Sequence, residues 1–235
     1  MADPPPPGTR LYRHRWPTRL WHWLNAIAIF ILIGSGLGIS NAHPRLYWGQ
    51  YGANFDHAWA HLPRFPAWLT IPANYNLALS RRWHLFFALV LVFGLLAFML
   101  ASLINRHFQR DLRPRAAELR PRHLGADIAA HLAFRFHDPA RPAAYNILQK
   151  LTYVAVIGIL LPLVILTGLT LSPGMNAAWP WLVELFGGRQ SARSLHFIAM
   201  AAISAFIVIH LTLVILSGAW NGIRSMLTGW WRVPQ

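Results

Sequence analysis

The chain has 235 residues, of which 55% are hydrophobic and only 12% are charged. An ordinary soluble domain has about 25% charged residues, so this composition excludes a typical water-soluble globule. The chain contains no cysteine. This excludes disulfides, thiolate-bound iron–sulfur clusters, cysteine-ligated zinc and thioether-attached haem.

Four long stretches of the chain contain no Asp, Glu, Lys or Arg. They lie between Arg19 and Arg45, Arg82 and Arg106, Lys150 and Glu184, and Arg193 and Arg224. Each stretch reaches the roughly 20 apolar residues that a membrane-spanning helix requires. The sequence therefore predicts an all-α membrane protein, a four-transmembrane-helix bundle, with helices near 21–41, 84–105, 149–172 and 195–218.

The basic residues are distributed unevenly along the chain. The formal net charge of +14 would suggest nucleic-acid binding in a soluble protein. With four spans, however, the N-terminus, the segment 106–150 and the C-terminus share one side, and they carry 15 of the 21 basic residues. The positive-inside rule places both termini in the cytoplasm. We therefore expect contacts with membrane lipid and no nucleic-acid partner.

The predicted organisation has three parts. A cytoplasmic N-terminal tail (1–20) precedes the four-helix domain (21–218), and a cytoplasmic C-terminal tail (219–235) follows it. The outer loop, 42–82, is rich in Pro and Trp, and it either caps the outer end, docks a partner or covers the surface without one. The inner loop, 106–149, contains a short helical segment near 124–136 that lies on the membrane surface or in solvent. The first apolar run is too long for a typical signal-peptide core, so we expect it to be retained.

Four of the twelve histidines fall within or at the ends of the predicted spans: His22, His84, His196 and His210. An ionisable side chain at such depth is costly and indicates function. A single one would equally fit an interhelical hydrogen bond. His196 and His210 are fourteen residues apart, so they lie within about 40° of one helix face and about 21 Å apart along the axis.

Helix direction assigns the four histidines to two levels. Helices 2 and 4 run inward, which places His84 and His196 at the outer end. Helix 1 runs outward, which places His22 at the inner level with His210. His107 would lie about 13 Å beyond the inner level, so we predict an interfacial position for it. The role of His43, which lies close to the outer end, is left undecided. The remaining histidines are predicted to be solvated: His14, His57, His61, His123, His131 and His137.

Two glycines lie at the predicted outer level. Gly36 follows His22 by fourteen residues, and Gly168 occupies a similar place on helix 3. A missing side chain there would let a bulky planar group pass close to the backbone. Close helix packing is the alternative, and Gly34 and Gly38 fit it as a small-xxx-small pair.

Short matches recur between the two halves of the chain. Ser35-Gly36-Leu37 resembles Thr167-Gly168-Leu169, and Arg81-x-x-His84 resembles Arg193-x-x-His196. Both arginines lie about one helical turn closer to water than the histidine that follows. They would pair with haem propionates or, alternatively, anchor the helix ends in the interface.

Paired neutral imidazoles in an apolar bundle without cysteine suit iron in b-type haem better than a free ion. Non-haem iron or copper would usually bring a carboxylate or sulfur ligand to the same depth. With both axial positions filled by histidine, the iron has no open site for oxygen chemistry and serves electron transfer.

The segments that open helices 1 and 2, together with the two histidines of helix 4, resemble a known family over about residues 10–230. This family comprises the di-haem b-type cytochrome subunits of formate dehydrogenase, nickel-iron hydrogenase and thiosulfate reductase, with bacterial cytochrome b-561. The matching residues are Pro17-Thr18-Arg19-Leu20-Trp21-His22-Trp23, Arg82-Trp83-His84, His196 and His210.

The resemblance implies a multi-pass protein of the bacterial inner membrane that carries two haems b. It implies electron transfer between a quinone and a redox partner enzyme. His84 and His196 would ligate the outer haem, and His22 and His210 the inner one. Leu171-Ser172-Pro173-Gly174 and the segment 186–193 are similar to thiosulfate-reductase-type cytochromes, some of which work beside a molybdenum enzyme.

Two other functions remain open at this point. The first is a stand-alone quinone reductase similar to superoxide oxidase, in which positive charge would attract the anion to the outer face. The arginines concerned are Arg81, Arg82, Arg189 and Arg193. The second is a membrane anchor that binds no cofactor.

Overall fold

Four long helices dominate the chain, which a computed structural model describes over residues 5–53, 56–106, 108–136 and 144–233. Among these residues, four helices are long and apolar enough to cross a membrane. They are α1 (Trp16–Ala42), α2 (Leu77–Ile104), α4 (Ile147–Leu171) and α7 (Arg189–Leu216). Shorter helices are α3 (Pro121–Leu132), α5 (Pro173–Ala178), α6 (Trp181–Leu185) and α8 (Ala219–Thr228). The four predicted spans are confirmed.

The long helices begin two to seven residues before the predicted starts. The prediction placed each boundary where the charges end, but Arg19, Arg81 and Arg193 lie inside helices. A long arginine side chain can extend its charged group to water while its backbone remains helical. Within α4, residues Val156–Leu160 form a π-helical turn just before Pro162. Proline has no N–H to continue the ordinary hydrogen-bond ladder, which accounts for the local change.

Large apolar side chains point outward from the long helices. Phe93 and Val208 are each 65% exposed, and Ile104 is 82% exposed. Faces of this kind would be unfavourable in water. They suit contact with lipid, where a helix satisfies its own backbone hydrogen bonds.

The chain divides into two units. The first comprises residues 1–23, 95–156 and 206–235, and the second comprises residues 24–94 and 157–205. In the first unit, β1 (Arg10–Tyr12) pairs antiparallel with β4 (Trp230–Arg232), with Arg10 opposite Arg232. This pairing joins the two ends of the chain, as an even number of spans allows. The segments assigned to terminal tails thus contain two strands, α8 and the start of α1.

Arg13 anchors the terminal strands of the first unit. Its guanidinium lies 5.7 Å from the ring centre of Tyr145 and 5.3 Å from that of Trp231, distances at which a cation and an aromatic face attract each other. The Arg13 backbone N–H donates to the carbonyl of Gly229 over 2.8 Å. Gly229 ends α8 at φ +89°, and a Cβ there would lie 2.4 Å from a ring carbon of Tyr12. Only glycine fits this turn.

The inner segment contains the helix that the sequence predicts. Helix α3 begins at Pro121, since proline is well suited to the first helical turn. It ends before Phe134, which adopts φ +57°. The predicted helix near 124–136 is therefore present, but it starts and ends a few residues earlier. At the start of α4, the Asn146 side chain accepts from the N–H of Gln149, and the Gln149 side chain accepts from the N–H of Asn146.

An ion pair connects this inner segment to α4. The Lys150 amine donates to both carboxylate oxygens of Glu118, over 2.7 and 2.9 Å. Only 11% of the Lys150 side chain is exposed. Partial burial raises the Glu118 pKa, but the hydrogen bonds and charge of Lys150 and the backbone N–H of Arg115 outweigh it, so the pKa is lowered overall.

We expect this ion pair to make stability depend on pH. Because the folded-state pKa of Glu118 is lowered, its stabilisation is complete above the unfolded carboxyl pKa of about 4.3. It is lost as pH falls through the folded-state pKa. Replacing Glu118 by Gln should cost about 1–2 kcal/mol at pH 7, between the values for exposed and buried pairs. Thermal unfolding in detergent from pH 3 to 7 measures both effects.

The control for this prediction is the double variant Glu118→Gln with Lys150→Met, which removes the buried amine together with its partner. It should recover part of the lost stability, since an unpaired buried charge is costlier than an apolar chain. Equal melting temperatures for wild type and Glu118→Gln at pH 7 would contradict the prediction.

In the second unit, the outer loop packs on the start of α7. The loop contains the antiparallel pair β2 (Arg45–Leu46) and β3 (Ala60–His61). The Gly49 carbonyl accepts from the backbone N–H groups of Gln190 and Ser191, over 2.9 and 3.1 Å. These are first-turn donors that have no acceptor inside their helix. The indole of Trp59 donates to the hydroxyl of Ser194 over 2.9 Å. The loop therefore caps the N-terminal end of α7.

Candidate functional site

The structure brings both predicted histidine pairs together. In the second unit, His84 from α2 and His196 from α7 have ring centres 6.1 Å apart, with the rings inclined at 60°. In the first unit, His22 from α1 and His210 from α7 have ring centres 6.4 Å apart, inclined at 58°. The rings are inclined to each other and not stacked in either pair.

The separation of the rings fits a metal ion held between them. A metal–imidazole bond is about 2 Å long, so two imidazoles on opposite sides of one ion have centres about 6 Å apart. Both observed separations match this value. Among the described residues, no group of three or more His, Asp or Glu side chains could hold a metal ion. The donors therefore come as pairs, which suits a metal whose other ligands belong to a macrocycle.

Two hydroxyl groups orient the histidines of the second unit. The Ser35 hydroxyl lies 3.1 Å from His84 Nδ1, and the Thr167 hydroxyl lies 3.0 Å from His196 Nδ1. Each hydroxyl donates its hydrogen to a helix carbonyl, Ser35 to Ile31 over 2.7 Å and Thr167 to Leu163 over 2.6 Å. Each hydroxyl must then accept from the imidazole. This assigns the proton to Nδ1 and leaves Nε2 with a free lone pair for a metal.

Gly36 and Gly168 lie against the same two imidazoles. A Cβ on Gly36 would be 3.5 Å from His84 Cε1, and one on Gly168 would be 3.4 Å from His196 Cε1. A methyl group would just fit at either position, and a longer side chain would reach the ring. Gly38 has a different role, since a Cβ there would lie 2.5 Å from the Ser80 hydroxyl. It permits close packing, the alternative considered for the glycines of this helix.

The histidine pair of the first unit has a different environment. The Nδ1 atom of His22 is buried and has no hydrogen-bond partner among the described residues. The Trp23 ring packs edge-on against His22 at 5.2 Å, and the Phe206 ring stacks on His210 at 5.5 Å. Aromatic contacts, rather than hydroxyl groups, surround these two imidazoles.

The predicted arginines differ in their contacts. Arg193 donates to the His43 carbonyl and, over 3.4 Å, to the side chain of Gln190. Arg81 and Arg82 are exposed. Arg189 donates to the Leu171 carbonyl over 3.0 Å. Two of the four arginines that would attract superoxide are thus held by backbone carbonyls.

Arg19 was not among the residues predicted to bind propionates. Arg19 precedes His22 by three residues, the same spacing as in the two Arg-x-x-His matches. Its Nη1 donates to the Leu227 carbonyl in α8, and its Nε is buried without a partner among the residues that the structure describes. The Arg-x-x-His spacing in the sequence is the signal that marks it.

The other histidines contribute less to these sites. His43 provides its carbonyl to Arg193, and His131 lies between the Asp127 carbonyl and Asn146, at 2.8 and 3.3 Å. His107 and His137 lie outside the described residues. The interfacial position predicted for His107 and the solvated one for His137 therefore stay predictions.

Comparison with known proteins identifies the family. The prokaryotic cytochrome b561 family matches residues 13–229 of the chain. The chain belongs to this family. The cytochrome is thus a multi-pass protein of the bacterial inner membrane, with a helical bundle that carries b-type haem and transfers electrons. Membership in a cytochrome family argues against an anchor without cofactor.

Several relatives extend over nearly the whole cytochrome. It is 29% identical to an Azospira oryzae protein named as the protein-methionine-sulfoxide reductase subunit YedZ1, over 84% of this chain and 87% of that protein. It is 23% identical to a protein of Cupriavidus necator named as a Ni/Fe-hydrogenase B-type cytochrome subunit, over 93% of this chain and 86% of the relative. A protein of Azotobacter vinelandii with the same name is 23% identical. No solved structure matches the cytochrome significantly.

Proposed function

We propose that the cytochrome holds two b-type haems and transfers electrons between a quinone and a redox partner enzyme. His84 and His196 would ligate the outer haem, and His22 and His210 the inner one. The observation that carries this proposal is the ring separation of 6.1 and 6.4 Å in the two pairs. That separation is about what one metal ion between two imidazoles requires.

The residues around each pair fit this role. Haem b held by two histidines would supply one-electron transfer. Ser35 and Thr167 hold the outer imidazoles with Nε2 free for the metal. Trp23 and Phe206 surround the inner pair with apolar rings that limit the entry of water. The outer arginines Arg81 and Arg193 would bind the propionates from the water side.

A cavity of about 230 Å³ in the first unit is where we propose that the head group of a quinone binds. It is smaller than a typical ligand pocket, and its lining combines apolar groups with a few polar ones. Trp21 stacks on one of the lining residues, Phe98, at 4.2 Å. The lining residues are Arg15, Pro17, Thr18, Phe98, Ala101, Ser102 and Asn105.

The names of the relatives support a partner enzyme. One is named as a subunit of a methionine-sulfoxide reductase, and others as cytochrome subunits of hydrogenases. We therefore propose that this cytochrome also serves a separate oxidoreductase. The resemblance of Leu171-Ser172-Pro173-Gly174 to thiosulfate-reductase-type cytochromes suggests a molybdenum-dependent partner.

The purified cytochrome tests the proposed function. We expect about two haems b per chain by pyridine haemochrome assay, with a reduced-minus-oxidised spectrum of bis-histidine haem b. A soluble quinone should reoxidise the dithionite-reduced protein. A colourless preparation, or one haem per chain, would refute the two-haem proposal. Quinone reduction with superoxide as the sole reductant would favour the superoxide oxidase alternative.

A further inference from the structure

The two hydroxyl groups at the outer pair have a specific role beyond packing. We propose that Ser35 and Thr167 are positioning residues that hold His84 and His196 as Nδ1-protonated tautomers and lower the reduction potential of the outer haem. The inference rests on the proposed ligation of that haem by these two histidines.

The geometry of the two hydroxyl groups supports this role. The hydroxyl–Nδ1 distances of 3.1 and 3.0 Å are ordinary hydrogen-bond lengths. Ser35 and Thr167 are both completely buried. The two hydroxyls are therefore shielded from water. The backbone carbonyls of Leu32 and Val164 also contact His84 and His196, so each hydroxyl is a second acceptor beside a carbonyl.

The same arrangement of hydroxyl and glycine occurs at both histidines. Ser35-Gly36 on α1 and Thr167-Gly168 on α4 each present a hydroxyl to Nδ1 and a glycine to Cε1 of the facing histidine. A buried hydroxyl can also bond only to its own helix, with no histidine beside it. Thr170 is an example, because it is completely buried and donates to the Leu166 carbonyl over 2.9 Å.

The effect on potential follows from the chemistry of imidazole. An acceptor at Nδ1–H increases electron density on the ring and makes Nε2 a stronger base. A more basic ligand stabilises the more positively charged, oxidised iron, and this lowers the reduction potential. At the inner pair, His22 Nδ1 has no such acceptor among the described residues. The inner haem therefore serves as an internal reference.

The test compares two substitutions at Thr167 in the purified, haem-loaded cytochrome. Thr167→Val keeps the shape of the side chain and removes the hydroxyl. Thr167→Ser keeps the hydroxyl and removes a methyl group. Redox titration followed by optical and EPR spectra should show a higher outer-haem potential in Thr167→Val and a wild-type value in Thr167→Ser. Ser35→Ala should raise the same potential. The inner-haem potential should not move in any of them.

Thr170→Val is the matched control, since it removes an equally buried hydroxyl from the same helix without touching a histidine. It should leave both potentials unchanged. The inference is overturned if Thr167→Val leaves the outer potential unchanged, or if Thr167→Ser shifts it as much as Thr167→Val does, which would indicate packing. Those results would leave the two-haem proposal intact, whereas a wild-type protein without haem would remove both.

Discussion

Replacing His210 by alanine should remove the inner haem and leave the outer one, so that the haem content falls from about two to about one per chain. His210 faces His22 across 6.4 Å, and alanine offers no donor in its place. The one remaining imidazole, His22, would hold the haem less firmly than the pair. The outer pair has its own ligands, so its spectrum and potential should persist.

The measurement is a pyridine haemochrome assay combined with a redox titration. The reciprocal variant, His84→Ala, should lose the other component of the titration and retain the one missing in His210→Ala. His57→Ala is the matched control, because His57 is exposed in the outer loop. It should keep both haems. If His210→Ala retained two haems, or if both histidine variants lost the same component, the assigned pairing would be wrong.

A large side chain at Gly168 should prevent haem binding at the outer pair only. A Cβ at this position would lie 3.4 Å from His196 Cε1, so the further atoms of leucine must displace the ring or occupy the space beside it. We expect the affinity of the outer pair for haem to fall by about 10–100-fold in Gly168→Leu, the range for loss of a group that supports a metal ligand. Gly168→Ala should retain the haem, since a methyl group makes ordinary contact.

Gly36→Leu should repeat this result, because a Cβ there would lie 3.5 Å from His84 Cε1. Gly125→Leu provides the control, since a Cβ on Gly125 has open space within 4 Å. The haem content after purification and the outer-haem EPR signal measure the effect. Full occupancy of both haems in Gly168→Leu would show that this glycine serves only helix packing.

The spans and the histidine pairs could be predicted because their signals are local. A helix that crosses lipid must exclude charge over its whole length, so gaps in the charge pattern reveal it. The regular helix then places His196 and His210 on one face, and the alternation of helix direction assigns each a partner. The predicted helix starts were less accurate, because arginines such as Arg19 and Arg193 can lie either within a helix or in the membrane–water interface beyond its end.

The hydrogen bonds around the outer pair could not be predicted from the sequence, because they join residues that are distant along the chain. Ser35 and His84 are 49 residues apart, and Thr167 and His196 are 29 apart. A serine or threonine in an apolar helix normally bonds its own backbone, so its sequence position does not show whether a second group approaches. The repeated Ser-Gly and Thr-Gly matches indicated that the two positions are related. Only the structure shows that each hydroxyl lies next to the Nδ1 atom of a histidine.

The amino-acid sequence alone determined that this protein has four membrane-spanning helices, and it predicted the pairing of His84 with His196 and of His22 with His210. Only the folded chain decided which hydroxyl groups meet His84 and His196, that the outer loop caps α7, and that β1 pairs with β4. The physical reason is the range of the interactions. Hydrophobicity and helical periodicity act along a continuous segment, whereas a hydrogen bond between distant residues exists only when packing brings donor and acceptor within about 3 Å.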